Sequence, residues 1–166
     1  MSEITLIISF EKEENIEEIW KKLIYFPKQV NNGCIDLTIK KIYAFKSQGS
    51  LDFGGSEYLQ VDRINIKPMK EDDPKYGWWI LDKGTYIIEY NEYLSKDGCL
   101  AIVFPHNRLQ LTGCYHAPFI VNPAKGETTE PLSCLLIVSA KSVRIKENAR
   151  ISTALTILTD EIKTDN

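Results

Sequence analysis

Hydrophobic positions along this chain change period once. Between Asn15 and Tyr25, Ile16, Ile19, Trp20 and Leu23 fall at i, i+3, i+4 and i+7, one face of an amphipathic helix. Glu13, Glu14, Glu17 and Glu18 load the start of that segment and Lys21 and Lys22 its second half, which suits the helix dipole. Pro27 is expected to stop the helix. Ile4 to Phe10 reads as a strand ahead of it. From Cys34 onward the pattern is β. CIDLTIKKIYAF is rich in β-branched and aromatic residues with period-two stretches. SQGSLDFGGSE reads as a loop or hairpin tip, with Gly49, Gly54 and Gly55 supplying turn conformations. EYLQVDRINIKP is a further strand. After the charged turn MKEDDPKYG, the segments WWILD, TYIIEYNEY, CLAIVF, APFIV, LSCLLIVSA, KSVRI and ISTALTIL follow one another as short strands.

Short strands at that spacing predict a sandwich, barrel or jelly roll. The reading is a single domain over 1–166: an N-terminal strand and helix (1–27), a β body (33–158) and a polar tail (159–166). No repeat, low-complexity stretch or linker divides the chain. With 43% apolar residues it can bury a core rather than stay disordered.

The formal net charge is -3 with both signs mixed, and no basic tract marks a nucleic-acid footprint. An acidic surface still leaves room for a local cationic pocket. No apolar run is long enough to span a bilayer, and the N-terminus lacks a secretion signal, so a cytoplasmic protein is expected. None of the four cysteines forms a C-x-x-C pair, so zinc is not signalled, and reduced buried thiols are expected. The H-x-E and P-C-x-x-C signatures of zinc deaminases are absent.

Candidate chemistry concentrates between Ile80 and Gly126, in ILDKGTYIIEYNEYLSKDGCLAIVFPHNRLQLTGCYHAPFIVNPAKG. A Lys83-Gly84 turn opens a strand, CLAIVF runs into Pro105, HNRLQLTG ends at Gly113, and APFIV ends in the NPAKG turn. With the early Gly33-Cys34-Ile35-Asp36-Leu37 and the late Arg150-Ile151, this order resembles the trimeric dUTPase / dCTP deaminase superfamily, over roughly 33–158.

The resemblance implies a distorted jelly-roll or β-barrel of the dUTPase-like type with one N-terminal helix. It also implies a homotrimer with sites between subunits, and a deoxynucleoside triphosphate substrate, dUTP or dCTP, carrying Mg²⁺ on its phosphates. No metal ligands on the protein are expected. The substrate-binding residues it implies are Asp36, His106, Arg108, Tyr115, His116, Phe119, Val121, Lys125 and Arg150. The stretch from Tyr115 to Val121 would read the pyrimidine through backbone groups. The catalytic candidates are Asn107, Asn122 and Glu127.

The chain departs from the family where the chemistry sits. His106, Asn107 and Arg108 replace an Arg-Ser-Ser triplet that binds phosphate oxygens. Asn122 replaces the turn aspartate that deprotonates the attacking water, and an amide has no useful basicity near neutral pH. Cys134 falls where deaminases carry a strand glutamate, with Glu127 and Glu130 nearby in sequence. Asn148 stands for a turn glycine and is expected at positive φ. Ser152 and Thr153 replace Ala-Gln, and the Gly-rich closing arm is missing. Two readings follow: a dUTP- or dCTP-converting hydrolase with weakened or altered activity, or a disarmed trimeric relative that binds nucleotide or protein.

Several residues carry two readings. His106 and His116 form an acid–base or metal pair, or are polar surface and satisfied core imidazoles. Arg108 and Arg150 neutralise phosphates, or make salt bridges. Trp78-Trp79 line a base pocket, or seal the core or an oligomer contact. Glu71-Asp72-Asp73 is a solvated turn or a Mg²⁺ cluster.

Overall fold

A computed structural model describes residues 16–71, 75–95, 99–123 and 127–158. The strand expected at 4–10, the polar tail, Asp72, Asp73 and Lys125 lie outside these. The elements in chain order are α1 (Ile16–Ile19), β1 (Trp20–Lys21), α2 (Phe26–Gln29), β2 (Val30–Asn31), β3 (Cys34–Phe45), β4 (Arg63–Ile66), β5 (Trp78–Tyr90), β6 (Tyr93–Leu94), β7 (Cys99–Pro105), α3 (Asn107–Leu111), β8 (Cys114–Tyr115), β9 (Phe119–Val121), β10 (Ser133–Lys146) and β11 (Arg150–Leu158).

The architecture is mainly β, as the strand spacing predicts. The principal sheet runs β8-β10-β5-β3-β11-β7-β9, with β2 and β4 also on β3. Its end strands β8 and β9 are joined by only residues 116–118. A link that short reaches about 14 Å at most, so the sheet must curl until its edges approach. β3 makes the curl possible. Its first half pairs with β11 (Asp36 opposite Thr153) and its second half with β5 (Ile42 opposite Ile88).

β5 and β10 form the long central pair, and burial switches face along it. Trp79 and Leu81 are buried in the first half of β5, Ile88 and Tyr90 in the second. On β10 the same switch runs from Leu136 and Val138 to Val143 and Ile145. The β10 register shifts between Val138 and Ser142. Consequently the expected Lys83-Gly84 turn does not exist. Gly84 lies inside β5, and WWILD and TYIIEYNEY are one strand. LSCLLIVSA and KSVRI likewise fuse into β10. The EYLQVDRINIKP strand shrinks to β4.

The β10 bulge is held by Gly113. Its carbonyl accepts from Ser139 N–H (2.9 Å) and Ala140 N–H (3.2 Å). Gly113 has φ of 78°, and a Cβ there would sit 2.8 Å from Ala140 Cβ. Gly113→Ala is therefore expected to cost about 2 kcal/mol, from left-handed backbone strain plus overpacking. Urea unfolding checks this, and an unchanged midpoint would contradict it.

The single N-terminal helix is a correction. Among the described residues of the expected helix, Ile16–Ile19 are helical, and Trp20–Lys21 pair with Leu94–Tyr93 instead. Ile16, Ile19 and Trp20 are buried as the pattern requires. An isolated short helix is marginal, whereas β1 gains strand pairing and Trp20 Nε1 donates to Thr156 Oγ1 at 2.9 Å. Lys22 then turns the chain with φ of 61°. Pro27 sits in the first turn of α2 rather than ending a helix, where its missing N–H costs nothing. Among the described residues three short helices stand in place of the one expected. Among the described residues no helix is long and apolar enough to cross a membrane.

Candidate nucleotide site

Asp36, on the buried first half of β3, anchors one polar cluster. Its Oδ2 accepts from Arg150 Nη1 at 3.0 Å and its Oδ1 from Thr153 Oγ1 at 2.9 Å. Arg150 Nη1 also donates to the Lys28 carbonyl at 3.0 Å. His106 also faces this carboxylate. Its Nδ1 accepts the Arg108 backbone N–H at 3.0 Å, capping α3, so the proton is on Nε2, which faces Asp36 Oδ2 at 3.7 Å. Burial, with Arg150 and Arg108 nearby, lowers the His106 pKa against the opposing pull of Asp36. The imidazole is thus neutral near pH 7.

Next to this cluster lies a cleft of about 390 Å³. Arg108, Arg150, Arg144, Lys146 and Trp78 are among the residues that line it. The cleft lies within the size range of small-ligand sites, which begins at roughly 300 Å³. No carboxylate pairs with the Arg108 side chain among the described residues, and that side chain is exposed. Arg144 is held by Glu71 at 2.6 Å, so Glu71 is an ion-pair partner. Asn148 shapes the rim with φ of 59°, the conformation expected of a residue standing for a turn glycine. Arg150 and Asn148 also wall a smaller cavity of about 160 Å³ beside Tyr25, Lys28 and Gln29.

His116 and Phe119 belong to a second, interior cluster. His116 is 0% exposed. Its Nδ1 lies 2.9 Å from the Ala117 carbonyl, which can only accept, so Nδ1 carries the proton. Nε2 therefore accepts from Ser152 Oγ (2.8 Å), Ser152 accepts from Tyr90 Oη (2.7 Å), and Tyr90 accepts from the Cys134 thiol (3.2 Å). Phe119 covers this chain, its ring centroid 5.9 Å from His116 and 6.4 Å from Tyr90. Burial pushes the Cys134 thiol up to about 11, so it stays protonated and cannot stand in for a general base. The two histidines form no pair: His106 serves the Asp36 cluster and His116 is a satisfied core imidazole.

Burial also lowers the His116 pKa from 6.5. A depressed histidine contributes stability that is full above the unfolded value and is lost as pH falls through the folded one. Wild-type protein is expected to lose more stability than His116→Gln between about pH 7.5 and pH 5. Equal losses in urea unfolding at the two pH values would contradict this.

The remaining candidates are dispersed. Asn107 opens α3 and is exposed. Tyr115 is 43% exposed on β8, opposite Ile137. Val121 is buried opposite Ala101. Asn122 and Glu127 are exposed in the β9–β10 connection, and Glu130 pairs with Lys22 at 2.8 Å. The stretch from Tyr115 to Val121 is not one strand but two, on opposite edges of the sheet path. β9 runs antiparallel to β7. Asn122 therefore lies toward the start of β7, while α3 follows its end. About 13 Å of strand, at ~3.3 Å per residue from Ala101 to Pro105, separates them. One chain does not bring Asn122 to Arg108.

Sequence reasoning missed Arg144 and Lys146, whose place on the cleft wall depends on the β10 bulge. It also missed the buried Glu92. Its Oε1 accepts from Gln29 Nε2 (2.8 Å) and Thr38 Oγ1 (2.6 Å), and its Oε2 from Thr38 N–H (2.7 Å). A carboxylate inside the apolar run YIIEYNEYL was the available signal. Among the described residues no three His, Cys, Asp or Glu side chains gather as metal ligands.

The curled β architecture with a three-residue link between its edge strands is a dUTPase-like fold. It overlays the crystal structure of a 2'-deoxycytidine 5'-triphosphate deaminase from Agrobacterium tumefaciens with a TM-score of 0.58 at 12% identity over 87% of this chain. The chain spans about 45% of that deaminase. A probable deoxyuridine 5'-triphosphate nucleotidohydrolase of Methanosarcina acetivorans is 27% identical over 152 residues, covering 89% of this chain and 85% of the relative. Its counterpart from Methanosarcina mazei is 28% identical over 124 residues, covering 74% and 68%. No protein-family model matches the chain. The chain is thus similar in sequence to probable deoxyuridine 5'-triphosphate nucleotidohydrolases and shares its fold with a 2'-deoxycytidine 5'-triphosphate deaminase.

Proposed function

We propose that the chain is a deoxypyrimidine nucleoside triphosphate hydrolase of the dUTPase / dCTP deaminase type, acting on dUTP or dCTP as a homotrimer with sites shared between subunits. The observation that carries this reading is the cleft on which Arg108, Arg144, Lys146 and Arg150 converge in a protein of net charge -3. Guanidinium groups match phosphate oxygens in charge and geometry. The separation of Asn122 from Arg108 supports a shared site, since a second subunit would have to supply the Asn122 and Glu127 end. Mg²⁺ would arrive on the triphosphate.

For the hydrolytic reaction, water attacks a phosphorus in line, the bond to the leaving phosphate oxygen breaks, and Arg108 and Arg150 stabilise the charge that develops. Asn122 can orient the water but not deprotonate it, so a slow reaction is expected.

One observation favours the second reading, a binding module without turnover. Carboxylates bonded to or adjoining cleft residues are engaged among the described residues: Asp36 by Arg150 and Thr153, Glu71 by Arg144, and Glu147 by the Gly77 N–H at 2.5 Å.

Calorimetric titration with dUTP, dCTP and dUMP tests what both nucleotide readings share. A triphosphate binding at least about tenfold more tightly than dUMP supports the cleft as a phosphate site, since lost charge-assisted contacts are worth about 1.4 kcal/mol per decade. No binding of any nucleotide would contradict it.

A further inference from the structure

We infer that Trp78, stacked with Arg144, is the platform on which the cleft receives a nucleobase. This rests on the cleft being a nucleotide site and names the residue that would hold the base there. Trp78 and Trp79 are neighbours on β5 but point to opposite faces. Trp79 is 2% exposed and donates its indole N–H to the Ile66 carbonyl at 2.8 Å, so it belongs to the core. Trp78 instead lines the cleft, and no hydrogen bond engages its indole N–H among the described residues.

The Arg144 guanidinium sits 4.7 Å from the Trp78 ring centroid and Lys146 Nζ 5.6 Å from it. The Glu71 carboxylate fixes Arg144 from the other side. Indole rings and planar guanidinium groups are surfaces on which nucleic bases stack, and such stacking tolerates any base. Surface cation–π pairs alone would not require a cleft. Here the pair shares one cavity with Arg108 and Arg150, so a base at Trp78 and phosphates at the arginines are two ends of one ligand.

The test uses dUTP and inorganic tripolyphosphate as probes, read by calorimetry and by tryptophan emission. Trp20 and Trp79 are 1% and 2% exposed, so a stacked base should quench chiefly Trp78. Expected are quenching by dUTP but not by tripolyphosphate, and about tenfold weaker dUTP binding in Trp78→Leu with tripolyphosphate affinity unchanged. Trp78→Phe, which keeps an aromatic plane, should retain most of the dUTP affinity. If Trp78→Leu binds dUTP as wild type does, or loses both probes equally, the platform is overturned while the nucleotide site stands. If wild-type protein binds neither probe, the nucleotide reading falls with it.

Discussion

Replacing Glu92 with alanine is expected to destabilise the fold by about 3–5 kcal/mol, because it strands several buried donors, each unsatisfied one costing about 1–3 kcal/mol. Three donors, Gln29 Nε2, Thr38 N–H and Thr38 Oγ1, converge on this carboxylate. Gln29 cannot turn its amide to compensate. Its Oε1 already accepts the Tyr25 N–H at 2.6 Å, and its Nε2 also donates to the Asp36 carbonyl at 2.9 Å. Glu92→Gln should therefore cost about 1–3 kcal/mol, because its NH₂ must face a donor in either orientation. The pH dependence has a definite sign. Burial raises the Glu92 pKa from 4.5 against the hydrogen bonds from Thr38 and Gln29. Its linked contribution is full below the unfolded value and declines as pH rises through the folded one. Glu92→Gln should remove that decline. Urea unfolding across mildly acidic pH checks both points, and an alanine variant as stable as the glutamine variant would contradict the network.

Replacing Arg150 with alanine is expected to weaken dUTP binding about 100-fold, near 2.7 kcal/mol at 1.4 kcal/mol per decade. Arg150 is the one side chain that borders both cavities and grips Asp36. Its loss removes a phosphate ligand and leaves Asp36, 7% exposed, with Thr153 alone among its side-chain hydrogen-bond donors. A stability loss of about 1–3 kcal/mol should accompany the binding loss. Asp36→Asn separates the two effects, because it disturbs the pair but keeps the guanidinium at the cleft. It should share the stability loss and retain most of the dUTP affinity. If Arg150→Ala bound dUTP within about twofold of wild type, a difference near 0.4 kcal/mol, the cleft would not be the phosphate site.

The sequence made the β character and the left-handed Asn148 legible, because period-two patterning and turn chemistry are local. It did not show that α1 ends at Ile19. Consecutive buried residues at Ile19 and Trp20 fit a helix face and a strand junction alike, and the β6 partner decides. Gly84 misled in the same way, since a glycine in a long bending strand and a glycine in a turn read identically. Of the candidate residues, Arg108 and Arg150 line one cleft and Asp36 and His106 cluster with Arg150 beside it, a grouping that the shared motif order names together. His116 was ambiguous until Ser152, 36 positions away, was seen to satisfy it. Arg144, Lys146 and the role of Trp78 depend on the β10 bulge, which no local pattern announces.

The measurement that tests the central claim most directly is a product assay. Purified protein is incubated with dUTP, dCTP, dTTP and UTP, with and without Mg²⁺, and the nucleotides are separated by anion-exchange chromatography. The account predicts slow, Mg²⁺-dependent conversion of dUTP or dCTP that Arg150→Ala abolishes. No product from any substrate, at protein concentrations near the substrate's, would contradict the enzyme and leave a nucleotide-binding module.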